Sequence, residues 1–364
     1  MKVLVLANND VGLYRFRREL LEAMNQKGYE VFIALPDGVM IPDLRNTGSK
    51  CILIEFNRRG TDPVADYRLY RTYRKLMKKI DPDVVLTYTI KPNVYGGMAA
   101  ARAGIPCIAN VTGLGTAIVN PGILQSISLF LYRKGLRHDQ KVFFQNRSNE
   151  KFFADRNIAD GRRSLLPGSG VNLEEYTYQE YPNYEQGHEK FLFVSRVMKD
   201  KGIEEFEAAA RAVKKDFPDT SFQVLGEMDE NYTELLTRAQ QDGVLAYHDE
   251  IPDVKPYYKN ASVVVLPTYH EGMSNVLQEA SAMGRPVIAS DIPGCREIFA
   301  EEVTGFGVEP GNTESLEKAM RKFIALPRNS KEMMGLAARR KVQSQFDRQI
   351  VVDRYLAEIE KCTR

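Results

Sequence analysis

The stretch VVVLPTYHEGMSNVLQEASAMGRPVIASDIPGCREI, residues 263–298, decides the fold. It opens with an apolar run that predicts a short buried strand, and Pro267 ends that strand because proline cannot donate to a sheet ladder. After a loop, residues 274–276 open a predicted helix that ends at Gly284. Strand, loop and helix in this order are typical of a doubly wound α/β domain.

The start of this helix predicts an anion site. Gly272 lets another group approach the backbone closely, and the N–H groups of a first helical turn lack acceptors within the helix and lie at the positive end of its dipole. We interpret the anion as a diphosphate. Its expected main-chain ligands are Met273, Ser274, Asn275 and Val276.

Two carboxylates, Glu271 and Glu279, flank the predicted anion site. They cannot hold phosphate themselves, because like charges repel, but they can accept hydrogen bonds from hydroxyl groups on either side of a diphosphate. A ribose on one side and a hexose on the other would make the ligand a nucleotide sugar. The alternative is that both are solvated acids near a helix N-terminus, where negative charge is mildly favourable.

A family resemblance favours the first interpretation. Seven residues separate Glu271 from Glu279, and the segments ASAMGRPVIASDIPGCREI and TGFGVEPGNTESL follow. This pattern resembles the Glu-x7-Glu signature of the retaining glycosyltransferase family 4, which has the GT-B fold. The resemblance implies an α/β protein of two doubly wound Rossmann-like domains facing a cleft, with a C-terminal helix that crosses back to the N-terminal domain. It places Glu271 on the hexose and Glu279 on the ribose.

A second segment, SRVMKDKGIEEF at residues 195–206, carries Arg196 and Lys201, which look like the pair that grips the diphosphate in this family. Two cations there would neutralise the charge that grows on the leaving group. The expected catalytic residues are therefore Glu271, Arg196 and Lys201, and no metal or other cofactor is expected. The loop at residues 249–253 matches the place where relatives hold the nucleobase, through main-chain groups and Ile251.

The N-terminal half predicts the acceptor side. Two predicted strands end in TYTIKPN, residues 87–93, and NVTGLGT, residues 110–116. The carboxyl ends of parallel strands converge on the ligand, so these loops should meet the substrate. IKPNVYG and VTGLGT resemble a branch of family 4 that builds bacterial surface polysaccharides on polyprenyl diphosphate carriers. The acceptor-side candidates are Lys91, Asn93, Thr112, Gly113 and Arg15, and Gly12 is a candidate for the donor diphosphate.

Length and composition suit two domains of a globular protein. We expect an acceptor-binding domain at residues 1–184, a nucleotide-sugar-binding domain at 185–345, and a returning helix at 346–364. The sequence has neither a run of about 18 apolar residues nor a signal-peptide layout. These features predict a cytoplasmic protein.

The charge is distributed unevenly. Residues 1–180 hold 26 Lys and Arg against 18 Asp and Glu, whereas the remainder holds 24 against 30. A basic N-terminal half fits an anionic acceptor or surface, and no motif for nucleic-acid binding accompanies it. Residues 121–137 mix apolar side chains with Arg133, Lys134 and Arg137, which predicts either a helix lying on an anionic membrane or a helix packed on the core.

Together these features predict a retaining glycosyltransferase. It would move a hexose or N-acetylhexosamine from a UDP-sugar to a polyprenyl-diphosphate-linked saccharide in the synthesis of capsule, O-antigen or another surface glycan, with possible peripheral contact at the inner face of the cytoplasmic membrane. One alternative is a UDP-sugar 2-epimerase of the same architecture. Others are a starch- or sucrose-type synthase and a non-catalytic nucleotide-sugar-binding protein.

Overall fold

The computed structural model describes residues 1–55, 62–113 and 122–362. The chain divides into two compact units, one formed by Met1–Gly170 with Arg348–Arg364 and the other by Val171–Asp347. Each unit is built on one parallel β-sheet flanked by helices. Leu114, Gly115 and Thr116 of the predicted acceptor loop, and Pro121 of the predicted amphipathic helix, lie outside the described residues.

The first unit contains a seven-stranded sheet in the order β3-β2-β1-β4-β5-β6-β7. Its strands are β1 (Lys2–Leu6), β2 (Glu30–Leu35), β3 (Lys50–Leu53), β4 (Val84–Tyr88), β5 (Cys107–Val111), β6 (Lys141–Phe144) and β7 (Arg163–Leu165). The helices are α1 (Asp10–Gln26), α2 (Ile41–Asn46), α3 (Pro63–Ile80), α4 (Gly97–Ala103), α5 (Ile123–Gly135), α6 (Arg147–Ala154) and α13 (Arg348–Glu360). A π-helical turn, Pro92–Gly96, precedes α4.

The central strands of this sheet are apolar because both faces are covered by helices. In β1, residues 3–6 are buried, and Val5 pairs in register with Ile33 of β2 and Leu86 of β4. The helix α3 begins after Asp62, whose side chain accepts a hydrogen bond from the Val64 N–H. Ligands of such folds bind at the carboxyl edge of the sheet, where the strands end.

The last helix, α13, returns to the first unit, as expected. Its apolar residues are buried in the core formed by β1, β2, β4 and α1; they are Val351, Val352, Tyr355, Leu356 and Ile359. At its start, Arg348 donates to Glu19 Oε2 at 2.7 Å and to the Gly170 carbonyl at 3.0 Å. The predicted fold class is confirmed by this return and by the two parallel sheets.

The second unit contains a six-stranded parallel sheet in the order β10-β9-β8-β11-β12-β13. Its strands are β8 (Lys190–Val194), β9 (Ser221–Leu225), β10 (Ala246–His248), β11 (Val263–Leu266), β12 (Val287–Ser290) and β13 (Gly305–Val308). The helices are α7 (Ile203–Lys214), α8 (Thr233–Gln241), α9 (Lys255–Asn260), α10 (Asn275–Ala282), α11 (Thr313–Ala325) and α12 (Arg328–Gln345).

The boundary between the units lies at Gly170, earlier than the predicted position near Tyr184. Residues after 170 join the second unit because they pack on it: the Val171 N–H donates to the Phe346 carbonyl at 2.8 Å, and the buried Tyr181 hydroxyl donates to the Ser262 carbonyl at 3.1 Å. Their lack of periodicity made them resemble a linker. The returning segment starts at Arg348 rather than at residue 346.

Among the helices in the described part of the chain, none combines the length and apolar content that crossing a membrane requires.

Candidate active site

The carboxyl edge of the second sheet holds the predicted donor residues. Strands β8 and β11 are neighbours and run parallel, with Val264 paired to Leu192. The loops that follow them therefore leave the sheet side by side. Lys201 follows β8 and Glu271 follows β11, so the topology brings these two side chains to one place.

Gly202 allows the two loops to come into contact. Its φ of +77° lies in the left-handed region, and a Cβ added there would meet the Pro267 carbonyl oxygen at 2.2 Å. Only glycine fits both conditions. The contact is fixed by a hydrogen bond of 2.9 Å from the Tyr269 N–H to the Asp200 carbonyl. This approach sets the Lys201 side chain against the loop that carries Glu271.

The Lys201 ammonium pairs with the Glu271 carboxylate. The Nζ–Oε1 distance is 2.6 Å, and both side chains are mostly buried, with 15% and 18% of their surface exposed. Lys201 Nζ also lies 3.5 Å from Thr268 Oγ1, whose hydroxyl donates to the Asp200 carbonyl. Partial burial strengthens the ion pair relative to one on the surface. The arrangement therefore holds a cation and a carboxylate side by side.

The helix α10 begins beside this pair. Ser274 is its N-cap, and its hydroxyl oxygen accepts the Leu277 N–H at 3.3 Å. The Ser274 N–H donates to the Gly294 carbonyl at 2.9 Å, so it is not the free diphosphate ligand that the sequence predicted. Gly294, at φ +88°, lies so close that an added Cβ would meet the Glu271 carbonyl at 2.8 Å. Asn275 and Val276 remain first-turn candidates for main-chain contact with an anion.

Glu279 lies one turn into α10 and accepts a hydrogen bond of 3.0 Å from the Tyr258 hydroxyl. Tyr258 is fully buried, and burial raises its pKa well above the ordinary value, with the negative charge of Glu279 adding to the rise. The phenol therefore stays protonated and donates to the carboxylate. Ile251, from the predicted nucleobase loop, is half-buried against the apolar cluster that also contains Tyr258.

Arg196 is placed differently from Lys201. It follows β8 directly, has 53% of its side chain exposed, and forms an ion pair with Asp229, which follows β9. This ion pair keeps the Arg196 guanidinium at the carboxyl edge of the sheet, close to the loop that follows β9. To bind the diphosphate as predicted, Arg196 has to release Asp229 or contact Asp229 and a phosphate at the same time.

In the first unit, helix α1 begins at Asp10. Asn9 caps it by accepting the Gly12 N–H, so Gly12 belongs to the first helical turn and its N–H already has an acceptor. Arg15 has an exposed side chain, as an acceptor contact requires. Arg17 is buried, with its guanidinium 5.0 Å from the Tyr88 ring.

The acceptor-side candidates after β4 are held by internal contacts. Lys91 pairs with Asp66 of α3 at 2.7 Å, with both side chains mostly buried. Asn93 has no exposed surface: its amide donates to the Asn110 carbonyl and accepts from Thr87 Oγ1, each at 2.8 Å. In this structure Asn93 has no surface to offer a substrate, and its hydrogen bonds tie the ends of β4 and β5 together.

Thr112 and Gly113 follow β5 and are half-buried at the carboxyl edge of the first sheet. The residue just before the end of that strand, Asn110, donates to the Tyr355 hydroxyl of α13 at 2.6 Å. The returning helix thus supports the start of the predicted acceptor loop. No sequence spacing relates these two residues, which explains why the contact was missed.

Within the residues that the structure describes, neither unit contains a histidine cluster of the kind that the epimerase alternative requires. His188 faces Asp219 at 3.9 Å, and the His248 ring lies against Tyr257. His270 is exposed, and His138 belongs to the other unit.

Comparison with known proteins agrees with these features. Residues 2–146 match the glycosyl transferase 4-like family, and residues 178–341 match the glycosyl transferases group 1 family. The chain is 26% identical to an N,N'-diacetylbacillosaminyl-diphospho-undecaprenol alpha-1,3-N-acetylgalactosaminyltransferase of Campylobacter jejuni, over 98% of this chain and 97% of that protein.

Two further similarities span most of the chain. A UDP-Gal:alpha-D-GlcNAc-diphosphoundecaprenol alpha-1,3-galactosyltransferase of Escherichia coli is 22% identical over 85% of this chain and 84% of its own. The crystal structure of a glycosyltransferase from Rickettsia africae superposes with a TM-score of 0.83 at 18% identity, over 100% of this chain and 98% of that one. The two glycosyltransferase family models together match most of the chain, and each unit contains a parallel sheet, so the chain belongs to the glycosyltransferases of the GT-B fold.

Proposed function

We propose that this protein is a retaining glycosyltransferase that uses a UDP-sugar donor. It transfers a hexose or N-acetylhexosamine to a polyprenyl-diphosphate-linked saccharide in the assembly of a bacterial surface polysaccharide. The observation that carries the proposal is the partly buried Lys201–Glu271 pair beside the start of α10. The two relatives, whose names specify diphosphoundecaprenol-linked acceptors and, in one case, UDP-galactose, support the choice of donor and acceptor class.

Lys201 and Arg196 act on the diphosphate. When the bond between the sugar and the diphosphate breaks, negative charge grows on the leaving oxygen, and a nearby ammonium stabilises that charge more in the transition state than in the ground state. Lys201 has three donor hydrogens, so it can keep Glu271 while it contacts a phosphate oxygen. The N–H groups of Asn275 and Val276 add the positive end of the α10 dipole.

Glu271 and Glu279 act on the two sugars. Glu271, fixed by Lys201, accepts hydrogen bonds from hexose hydroxyls, and Glu279, fixed by Tyr258, accepts them from the ribose. Both carboxylates are oriented before the donor arrives, which reduces the ordering that binding requires. The loop with Ile251 contacts the uracil ring.

Retention of configuration follows from attack on the same face that the leaving group departs from. The bond from the anomeric carbon to the diphosphate oxygen breaks as the acceptor oxygen forms its new bond there. The acceptor's hydroxyl proton passes to a departing phosphate oxygen, and UDP is released. This route uses no protein base and no metal cofactor.

The first unit supplies the acceptor contacts. Arg15, Lys91, Thr112 and Gly113 are the candidates. The acceptor's lipid anchor would keep the enzyme at the inner face of the cytoplasmic membrane as a peripheral protein.

The product of the reaction tests the proposal. A panel of UDP-, GDP-, ADP- and TDP-sugars is incubated with a polyprenyl-diphosphate-linked saccharide, and the anomeric configuration of the product is determined by NMR. We expect transfer from at least one UDP-sugar with the α configuration of the donor kept. A β-linked product would overturn the retaining mechanism, and transfer from only GDP-, ADP- or TDP-sugars would overturn the choice of donor.

A further inference from the structure

The helix α5 carries an exposed apolar stripe. Ile123, Ile127 and Phe130 recur at i, i+4 and i+7, which places them on one face, and 82%, 50% and 55% of their surface is exposed. Leu124, beside them, is 50% exposed. Single exposed apolar residues are ordinary on a protein surface, but here four of them are clustered on one short helix.

The opposite face of α5 fixes which way this stripe points. Tyr132 and Gly135 are buried, and an added Cβ on Gly135 would meet the Val94 Cα at 2.6 Å. The ring of Tyr132 packs edge-on against Phe153 at 5.2 Å. Because Tyr132 and Gly135 are packed in the core of the first unit, the helix cannot turn its apolar stripe toward that core. The sequence left the two orientations open, and the packing puts Ile123, Ile127 and Phe130 in solvent.

Basic residues continue from the apolar stripe. Lys134 occupies the next position on the same face, with its Nζ 5.6 Å from the Phe130 ring centre. Beyond it lies an open groove of about 600 Å³, and no carboxylate is among the described residues that line it. The basic residues that line it are Arg102, Lys134, Arg137 and His138. Residues 91–138 contain no aspartate or glutamate. The surface therefore combines an apolar strip with a wholly basic flank.

The direction of α5 relates this surface to the sheet. Strand β5 ends at the carboxyl edge and β6 starts at the amino edge, so the helix between them runs from the first edge to the second. Its apolar beginning thus lies toward the carboxyl edge of the first sheet, where acceptor ligands gather. Its basic end and the groove lie toward the amino edge.

We propose that α5 and its basic flank dock on an anionic lipid surface. Ile123, Leu124, Ile127 and Phe130 enter the boundary between headgroups and acyl chains, and Lys134, Arg137 and Arg102 contact lipid phosphates. This inference rests on the proposed function only in that a lipid-linked acceptor would be delivered to the same edge. The complementary charge favours lipid over a second copy of this chain, whose matching face would carry the same positive charge.

Vesicle co-sedimentation tests the proposal. The wild-type protein should bind phosphatidylcholine vesicles that contain phosphatidylglycerol, and bind them less in high salt. Substituting Ile123→Ser, Ile127→Ser and Phe130→Ser should lower the partition coefficient about tenfold or more, and Lys134→Ala with Arg137→Ala should do so on anionic vesicles only.

Matched controls lie on the other unit. Val303→Ser with Met333→Ser removes comparably exposed apolar groups, and Lys215→Ala with Lys259→Ala removes comparable charges. Both should leave vesicle binding unchanged. Circular dichroism should show that all variants are folded.

Two outcomes would overturn the docking surface. One is a wild-type protein that does not bind anionic vesicles, or an apolar-stripe variant that binds them as well as wild type. The other is sedimentation showing a wild-type dimer that the stripe variant dissociates. Transfer to a water-soluble acceptor, assayed in parallel, should be equal in wild type and stripe variant; its absence in both would count against the proposed function and leave the lipid result standing.

Discussion

The ammonium of Lys201 lies 2.6 Å from the carboxylate of Glu271, although the two residues are 70 positions apart in the chain. The contact exists because β8 and β11 are adjacent parallel strands and because Gly202 lets their following loops touch. The residue proposed to contact the diphosphate, Lys201, is therefore hydrogen-bonded directly to the residue proposed to bind the hexose hydroxyls, Glu271. A donor that binds there engages both at once.

Replacing Glu271 by glutamine keeps the side chain's size and removes its charge. We expect transfer to fall by about 100-fold or more, since the hexose loses its charged acceptor and Lys201 loses its fixed position. UDP binding should be kept, because Lys201 is then free for the diphosphate. Steady-state kinetics and UDP calorimetry measure the two effects, with the exposed Glu314→Gln as control. Unchanged transfer would refute the role of Glu271.

Replacing Tyr258 by phenylalanine removes the hydroxyl that holds Glu279 and keeps the ring in the core. Hydrogen bonds to charged groups contribute about 1.5–3 kcal/mol, so we expect the Kd for UDP to rise about tenfold. Uridine, which has the ribose but no phosphate, should be weakened by the same factor. The neighbouring Tyr257→Phe is the control. If Tyr258→Phe lowers the melting temperature but leaves nucleotide affinity alone, Glu279 is not the ribose contact.

Gly202→Ala tests the contact between the two loops. Gly243→Ala is the matched control, because its φ of +66° imposes the same backbone strain while its added Cβ meets nothing within 4 Å. We expect the control to lose about 1 kcal/mol of stability and Gly202→Ala to lose at least twice that, together with UDP affinity. Equal effects in denaturant unfolding would show that the approach to Pro267 is not tight.

Asp139 gives a prediction for pH. It is 2% exposed, and burial raises its pKa well above the ordinary value of about 4. The folded state then holds a proton that the unfolded state releases, so the stabilisation is complete below the unfolded pKa and is lost as pH rises toward the folded pKa. Asp139→Asn should therefore become more stable relative to wild type as pH increases from 4 to neutral, measured by thermal unfolding. A stability difference that is constant over this range would show that Asp139 is ionised in the fold.

Metal dependence is a separate test. Because Lys201 and Arg196 are proposed to neutralise the leaving diphosphate, transfer should proceed at the same rate after treatment with EDTA. Activity that EDTA abolishes and magnesium restores would contradict this. Lys201 and Arg196 would then contribute to donor binding and not to neutralising the leaving group.

The positions of the proposed donor residues could be predicted because most of them are close together in the sequence. Glu271, Ser274 and Glu279 lie on one loop and one helix turn, and the order of parallel strands places Lys201 beside them. Their partners could not be predicted. Asp229 follows strand β9 and Tyr258 lies in helix α9, and no spacing in the sequence relates Asp229 to Arg196 or Tyr258 to Glu279.

The acceptor half was harder to predict because polar residues after strands serve structure as well as function. Asn93 sits where a ligand contact is expected, yet its amide satisfies the buried Asn110 carbonyl. Asn110 in turn contacts Tyr355, which is distant in sequence and arrives with the returning helix. The unit boundary was missed for a similar reason, since Tyr181 packs by an isolated hydrogen bond rather than by periodic burial.

Calorimetric titration of UDP tests the central claim most directly. It compares the wild type with Lys201→Ala, with Arg196→Ala and Lys201→Ala together, and with Lys199→Ala, an exposed lysine of the same loop. We expect micromolar binding in wild type and Lys199→Ala, weaker binding in the single variant, and none in the double variant. Absence of UDP binding in the wild type, or equal binding in all four proteins, would contradict the assignment of this edge as the donor site.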